Sequence, residues 1–195
     1  MVVVLYRLGQ FQEALAALPE SVVTNTAFEE VVRTYVLVEL RDGPNGALRE
    51  FQNAWSRNPS PFDALLLQTT LRLLGRKAQA VEVCMKLRER KALLPSWRNG
   101  WYHRLLDYNC DLLSGDSLLK AAGSSRWSQS EAHFFIGMTR LAEGHRAAAR
   151  EHFRKNVAAG VFAFFDHDWS RAFLHRMEED PNWPAWISVN PESSE

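Results

Sequence analysis

The sequence is short of cysteine, of net charge and of long apolar runs. Its 195 residues include two cysteines, and 23 lysines and arginines balance 23 aspartates and glutamates, so the formal net charge is zero. A neutral chain lacks the positive field that is typical of proteins that bind nucleic acids or anionic membranes. No uncharged stretch reaches the ~18–20 residues that a membrane-spanning helix needs. We therefore expect no membrane partner, and a nucleic-acid partner would need a local basic patch.

Cys84 and Cys110 lack a CxxC motif and a histidine at metal-ligand spacing. Both lie in helical patterns, where a free cysteine behaves as a small hydrophobic residue. We expect two reduced, buried thiols and a cytoplasmic location. The apolar run from Met1 to Tyr6 ends at Arg7 and is too short for a signal peptide, which favours the same location.

The local signatures of common enzymes are also missing. The sequence contains no GxGxxG, GxxxxGK[ST], GxSxG or HExxH motif. His145 and His152 lie about two helical turns apart on one helix, but a metal pair requires i, i+4 spacing and a third ligand. We expect surface histidines, no metal, no cofactor and no catalysis.

Asp166-His167-Asp168 is the tripeptide that most resembles catalytic chemistry, because a carboxylate can orient an imidazole. Adjacent residues do not face each other on a helix, however. Aspartates at a helix N-terminus also cap the chain and favour the helix dipole. We expect an N-terminal cap here.

Glycines recur along the chain at fairly regular intervals. Gly9, Gly43, Gly75, Gly115 and Gly144 are separated by 34, 32, 40 and 29 residues, and each lies between two apolar-periodic segments. A helix that ends at glycine and is followed closely by a second helix is typical of a helical hairpin. The pattern predicts an all-α stack of hairpins. We expect helices near residues 2–8, 10–18, 25–41, 45–57, 62–74, 77–91, 97–113, 117–122, 128–143, 146–158 and 166–178.

Several of these segments resemble the tetratricopeptide repeat family. The resemblance is carried by residues 8–15, by the Ala47, Phe51, Ala54, Pro59 spacing, and by a unit with Gly137, Leu141, Ala149 and Phe153. In that unit the small Gly137 and Ala149 let two helices approach while Phe153 fills the space beside them. Residues 96–124 match poorly. The resemblance implies a right-handed α-α superhelix over residues 1–180, an α-solenoid with a C-terminal capping helix.

The two ends of the chain differ from the repeats. The first helix is too short for a complete hairpin, so we expect a fragment of a longer protein, or an edge covered by a partner or by self-association. At the other end, Trp169, Phe173 and Met177 share one helix face that should seal the last hairpin. Residues 181–195 are expected to form an extended tail in which Trp183 and Trp186 lie back on the solenoid.

Tetratricopeptide arrays bind peptides or helices in a concave groove, so the resemblance implies a non-catalytic interaction module, an adaptor or scaffold. The expected groove lacks the Lys, Asn and Arg clamp that grips chaperone tails, and a mixed apolar groove suits an amphipathic helix. Packing between hairpins is an equal alternative for each groove residue. The residues that the resemblance directs into the groove are Phe62, Thr69, Arg72, Tyr102, His103, Leu106, Glu131, Phe134 and Met138.

Two other functions stay open. The abrupt N-terminus fits a regulatory domain of a larger enzyme. The stretch from Arg72 to Arg98, with eight basic residues against Glu82 and Glu89, fits an RNA or acidic-peptide site. The same stretch also fits a solvated helix face with a cationic C-terminal turn, which the helix dipole favours.

Overall fold

The computed structural model describes residues 61–89, 100–162 and 164–187, together with Glu13 and Ala16, but not the side chains of residues 61–64 and 165. Contacts divide the chain into Met1–Asn58 and Pro59–Glu195, and the three described ranges all belong to the second unit. Apart from Glu13 and Ala16, which are helical, the expected helices before residue 61 and the incomplete N-terminal repeat lie outside the described residues, as do residues 188–195.

The described ranges are all-α, with seven helices and no strand. The helices are α1 (Pro61–Leu73), α2 (Lys77–Glu89), α3 (Trp101–Asn109), α4 (Gly115–Ala122), α5 (Arg126–Ala142), α6 (Arg146–Ala158) and α7 (Phe165–Glu179). Most bounds fall within two residues of those expected from the sequence, and those of α6 coincide with them. The exception is α3, which begins and ends four residues away from its expected bounds.

Local signals set most of the helix ends. Ser114 and Ser125 cap α4 and α5, because their hydroxyls accept hydrogen bonds from the backbone N–H of Ser117 and Ser128. Gly75 and Gly144 have φ values of +70° and +83°, so they close α1 and α5 as expected.

The expectation that Gly115 closes a helix is wrong. Gly115 is the first residue of α4, and the left-handed position before it is Asp111, with φ of +59°. The chain therefore leaves α3 earlier than the glycine pattern indicates, which explains the early end of α3.

Helix α5 is central to the described unit. It packs against α6 as a hairpin and also contacts α1, α3, α4 and α7. Consequently its apolar residues are buried on several faces, with Phe134 and Ala132 fully buried and Phe135 and Ile136 nearly so. The hairpin of α1 and α2 packs alongside, and Leu65 is buried with it.

The contact between α5 and α6 is the interlock that the sequence predicts. A Cβ atom at Gly137 would lie 2.7 Å from Cε1 and 2.8 Å from Cδ1 of Phe153. Phe153 and Ala149 are fully buried, and the Phe153 ring centroid lies 5.3 Å from that of Phe173 on α7. Gly137 thus provides the space that Phe153 occupies, which leaves no room for a larger side chain.

Helix α7 seals this hairpin. Trp169, Phe173 and Met177 are buried on one face, as expected. The Trp169 ring lies edge-on to Phe134 of α5, with centroids 5.8 Å apart. Aromatic packing therefore continues from the hairpin into α7.

Residues 181–187 fold back as turns, so the expected extended conformation is wrong for this part of the tail. The segment includes a cis Trp183–Pro184 peptide bond. The Arg146 guanidinium donates to the carbonyl oxygens of Asn182, Trp183, Pro184 and Ile187 at 2.7–3.2 Å. Of the two indoles expected to pack back, only that of Trp183 does so. The Trp183 ring lies 5.1 Å from Phe173, whereas Trp186 is 46% exposed.

Cys84 and Cys110 form a disulfide, so the expectation of reduced thiols is wrong. Cys84 belongs to α2 and Cys110 follows α3 directly, and both are buried. The bond joins two consecutive hairpins, which sequence spacing alone does not reveal.

Replacing Gly137 with leucine is expected to lower the free energy of unfolding by about 1–3 kcal/mol, because even the first side-chain carbon overlaps Phe153. Chemical denaturation measures this change. The matched control is Gly115→Ala, where a Cβ would lie 3.5 Å from Ile136 in ordinary contact, and a change within about 0.5 kcal/mol is expected. Equal effects at both glycines would contradict the packing described for α5 and α6.

Replacing both Cys84 and Cys110 with alanine should destabilise the oxidised protein by about 3 kcal/mol, because the disulfide closes a loop across a separation of 26 residues. Denaturant titration measures the loss, and added reductant should leave the double variant unaffected. Two reactive thiols per unfolded wild-type chain, counted without reductant, would show that the bond does not form.

Candidate functional site

Most of the residues expected in the groove lie inside the protein. Tyr102 and His103 are partly exposed on α3, and the side chain of Phe62 is not described. The remaining six are buried, namely Thr69, Arg72, Leu106, Glu131, Phe134 and Met138. For these six the structure favours packing between helices. The contact of Tyr102 and His103 with a partner stays a prediction.

Arg72 is hydrogen-bonded to the C-terminal end of α3 and does not face a groove. Its Nη2 donates to the carbonyl oxygen of Asn109 at 2.7 Å and to Oδ1 of Asp111 at 2.9 Å. The Gln68 amide donates to the same Asn109 carbonyl. Carbonyls in the last turn of a helix lack a partner within the helix, so Arg72 and Gln68 supply one from α1.

Glu131 joins α5 to α3 through two aromatic donors. Trp101 Nε1 donates to Glu131 Oε2 at 2.8 Å, and the Tyr102 hydroxyl donates to Oε1 at 3.3 Å. Because Glu131 is buried, these bonds replace hydrogen bonds to water. Two residues of the expected groove, Tyr102 and Glu131, are thus brought together as a fixed contact between helices.

A second buried polar cluster joins α5, α6 and α7 around Asp166. The side-chain amide of Asn156 donates to Asp166 Oδ2 at 2.9 Å and to the Ser130 carbonyl at 2.8 Å. The Ser130 hydroxyl donates to the same Asp166 oxygen at 3.4 Å. Burial raises the pKa of Asp166 to about 6, and the hydrogen bond from Asn156 opposes the shift. Burial thus favours the protonated form of this carboxyl group.

Asp166-His167-Asp168 lies in the first turn of α7, as expected, but none of the three is the N-cap residue. The N-cap residue of α7 is Phe164, whose side chain makes no capping hydrogen bond. Asp166 points inward, although both aspartates lie in the first turn, where the helix dipole favours negative charge. All three residues are buried, so a dissolved substrate does not reach them in this conformation.

His152 of α6 pairs with His133 of α5. Spacing along the sequence relates His152 only to His145 on the same helix, so it does not predict this contact. The two Nδ1 atoms lie 3.0 Å apart between α5 and α6. Burial, followed by the proximity of His152, lowers the pKa of His133 to about 4, and burial also lowers the pKa of His152. Both imidazoles are consequently neutral near pH 7.

An exposed aromatic surface, formed by Trp127, Phe162 and Phe164, is a feature that the sequence patterns do not single out. Trp127 is 47% and Phe162 is 68% exposed, and the Trp127 and Phe164 rings meet edge-on at 4.8 Å. The Phe162 ring lies 4.8 Å from the buried His167. The three phenylalanines Phe162, Phe164 and Phe165 are the available signal, but such a segment equally fits the sealing of the last hairpin.

Most of the described basic residues between Arg72 and Arg98 lie beside a carboxylate. Arg72 and Lys77 contact Asp111, Lys86 contacts Glu82, and Arg88 lies 3.4 Å from Asp107. Lys86 and Arg88 occupy the last turn of α2, as the solvated-face interpretation predicts. Arg90, Lys91 and Arg98 lie outside the described residues. The described part of the stretch does not offer a row of unpaired cations for RNA.

Comparisons with known proteins do not identify a family. No family model matches the chain, and no curated protein matches it. Within the described ranges, no three histidine, cysteine or acidic residues come together as metal ligands. None of the described helices combines the length and apolar content of a membrane span.

An Asp166→Asn variant is expected to differ from wild type in the pH dependence of stability. A raised folded-state pKa means that Asp166 contributes stability below about pH 3.8, which is lost as the pH rises through about 6. The loss amounts to at most about 3 kcal/mol for a shift of this size. Between pH 4 and pH 7.5, the stability of the variant relative to wild type should rise by about 1–3 kcal/mol.

This difference is independent of any constant effect of the substitution, because only its change with pH is compared. Urea denaturation at a series of pH values provides the measurement. A difference that does not change with pH would mean that Asp166 titrates normally.

Proposed function

We propose that this chain is a non-catalytic protein-interaction module, an adaptor or scaffold, that binds a peptide or an amphipathic helix. The proposal includes a tetratricopeptide-like, right-handed superhelical arrangement of the hairpins. Its support is the pair of hairpins α1–α2 and α5–α6, the glycine turns after α1 and α5, and the small-against-large packing of Gly137 with Phe153.

The observation that carries the proposal is the exposed aromatic surface. Aromatic side chains supply large contact areas at protein interfaces, so the exposure of Trp127 and Phe162 favours an interaction surface here. Phe164 and His167 hold Trp127 and Phe162 in position through ring contacts. A partner therefore meets a surface whose shape is already set.

The partly exposed residues of α3 extend the proposed binding region. Trp127 lies one helical turn before Glu131 on α5, and residues i and i+4 share a helix face. Glu131 in turn receives the hydroxyl hydrogen bond of Tyr102. The accessible binding residues that we propose are therefore Tyr102, His103, Trp127, Phe162 and Phe164, instead of the buried part of the expected set.

The disulfide bears on where the protein works. Disulfides are rare in cytosolic proteins and persist in oxidising compartments. Because Cys84 and Cys110 are paired, we propose an oxidising compartment in place of the cytoplasmic location expected from the reduced thiols.

The experiment compares partner capture by wild type with capture by a Trp127→Ser, Phe162→Ser double variant. The matched control is Leu112→Ser, which removes an exposed apolar side chain, 55% exposed, that is not part of the aromatic surface. Acidic substitutions of Phe134 or Met138 are unsuitable because both side chains are buried and their loss would unfold the protein.

A protein retained by wild type and by Leu112→Ser should bind the double variant at least tenfold more weakly in a subsequent titration with purified components. Near-ultraviolet circular dichroism confirms that each variant is folded. Retention of every partner by the folded double variant would contradict the assignment of this surface.

A further inference from the structure

One arginine side chain holds the C-terminal segment 182–187 against α6 and α7. Arg146 is the first residue of α6. Its Nε donates to the carbonyl oxygen of Trp183 at 3.2 Å, and its Nη2 donates to three further carbonyls of the segment at 2.7–3.2 Å, the nearest being that of Ile187. All four acceptors belong to the backbone, so Arg146 recognises the path of the segment and not its side chains.

The segment does not use all the donors that the arginines of α6 offer. Three carbonyl oxygens share Arg146 Nη2, whereas Nη1 of the same guanidinium is buried and has no acceptor. Arg150, one helical turn along α6, donates from Nη2 to the carbonyl oxygen of Met177 at 2.7 Å, and its Nε is likewise buried without an acceptor. A buried donor without an acceptor costs free energy, so the segment is an incomplete ligand for these two arginines.

The charges of the two arginines are not neutralised either. Among the residues that the structure describes, neither Arg146 nor Arg150 forms an ion pair, whereas Lys155 of the same helix lies 3.3 Å from Glu151. Carbonyl oxygens and the C-terminal end of α7 supply only partial negative charge. A carboxylate would bind a guanidinium more strongly than carbonyls do, through two parallel hydrogen bonds.

The segment also shows which side chains this face accepts. Pro184 and Ile187, three residues apart, are buried, and the Trp183 ring lies 5.1 Å from that of Phe173 on α7. Hydrogen bonds to the peptide backbone together with buried side chains at a fixed spacing are typical of docked peptides. The segment is therefore attached to α6 and α7 as a peptide ligand would be.

We propose that this face of α6 and α7 is a second binding site, for a peptide that ends in a free carboxylate, and that residues 182–187 occupy it in the absence of that peptide. The carboxylate takes the place of the Ile187 carbonyl, where one oxygen meets Nη2 and the other meets Nη1 of Arg146. Apolar side chains of the peptide replace those of Pro184 and Ile187.

The proposed site is separate from the aromatic surface. It lies at the C-terminal end of α7, beside Met177, whereas Phe164 of the aromatic surface precedes the N-terminal end of the same helix. Helices α6 and α7 also carry none of the residues expected in the groove. The two proposals can therefore fail independently.

The test compares two synthetic peptides with the sequence of residues 180–187, DPNWPAWI, one with a free C-terminal carboxylate and one with a C-terminal amide. The tethered segment competes at an effective concentration on the order of millimolar. The receptor is therefore the full chain with Trp183→Ser and Ile187→Ser, which weakens the attachment of its own segment. In fluorescence anisotropy titrations with labelled peptides, we expect saturable binding that is at least tenfold tighter for the carboxylate peptide.

Adding Arg146→Gln to this receptor should abolish the preference for the carboxylate peptide. The matched control is Arg154→Gln, because Arg154 is an exposed arginine further along the same helix, and it should keep the preference. Near-ultraviolet circular dichroism confirms that each receptor is folded. Wild type provides the same comparison at higher peptide concentration, so the test does not depend on the folding of a variant.

Three results would overturn the proposal: equal affinity for the carboxylate and amide peptides, equal binding of a scrambled peptide with a free carboxylate, or no saturable binding by either wild type or the receptor variant. The Trp127→Ser, Phe162→Ser double variant should bind the carboxylate peptide as wild type does. This comparison distinguishes failure of the present site from failure of the aromatic surface.

Discussion

The close approach of α5 and α6 at Gly137 and Phe153 is the constraint on which the described unit depends. Because Gly137 has no side chain, the Phe153 ring can lie against the α5 backbone and still reach Phe173 of α7. The same spacing between the helices brings His133 and His152 within hydrogen-bond distance. A wider spacing would loosen the aromatic packing and separate the two histidines.

Buried polar contacts then fix the other elements around α5. Glu131 binds Trp101 and Tyr102 of α3, whereas Ser130, one residue earlier, belongs to the cluster of Asp166. A buried carboxylate is costly unless it is hydrogen-bonded, so each contact allows few alternative packings of the helices. The polar residues that the sequence offers as candidates for function thus hold the interior together. The binding residues that we propose lie outside this interior.

The sequence predicts those features that arise from neighbours along the chain. Glycine turns and apolar periodicity give the bounds of α6 and nearly those of α5, and repeat spacing pairs Gly137 with Phe153. The errors arise where a distant residue decides the outcome. Arg72 of α1 holds the end of α3, Cys84 reaches Cys110 across 26 residues, and Asp166 accepts a hydrogen bond from Asn156 of α6. Side chains expected in a groove are buried because helices from several hairpins enclose them.

The most direct test of the central constraint is a double-mutant cycle of Gly137→Ala and Phe153→Leu, with the free energy of unfolding measured for all four proteins. If the two residues compete for one space, the alanine should be less destabilising in the Phe153→Leu background, with a coupling of about 1 kcal/mol or more. Additivity within about 0.3 kcal/mol would contradict the account, because it would mean that the added methyl group does not meet the ring.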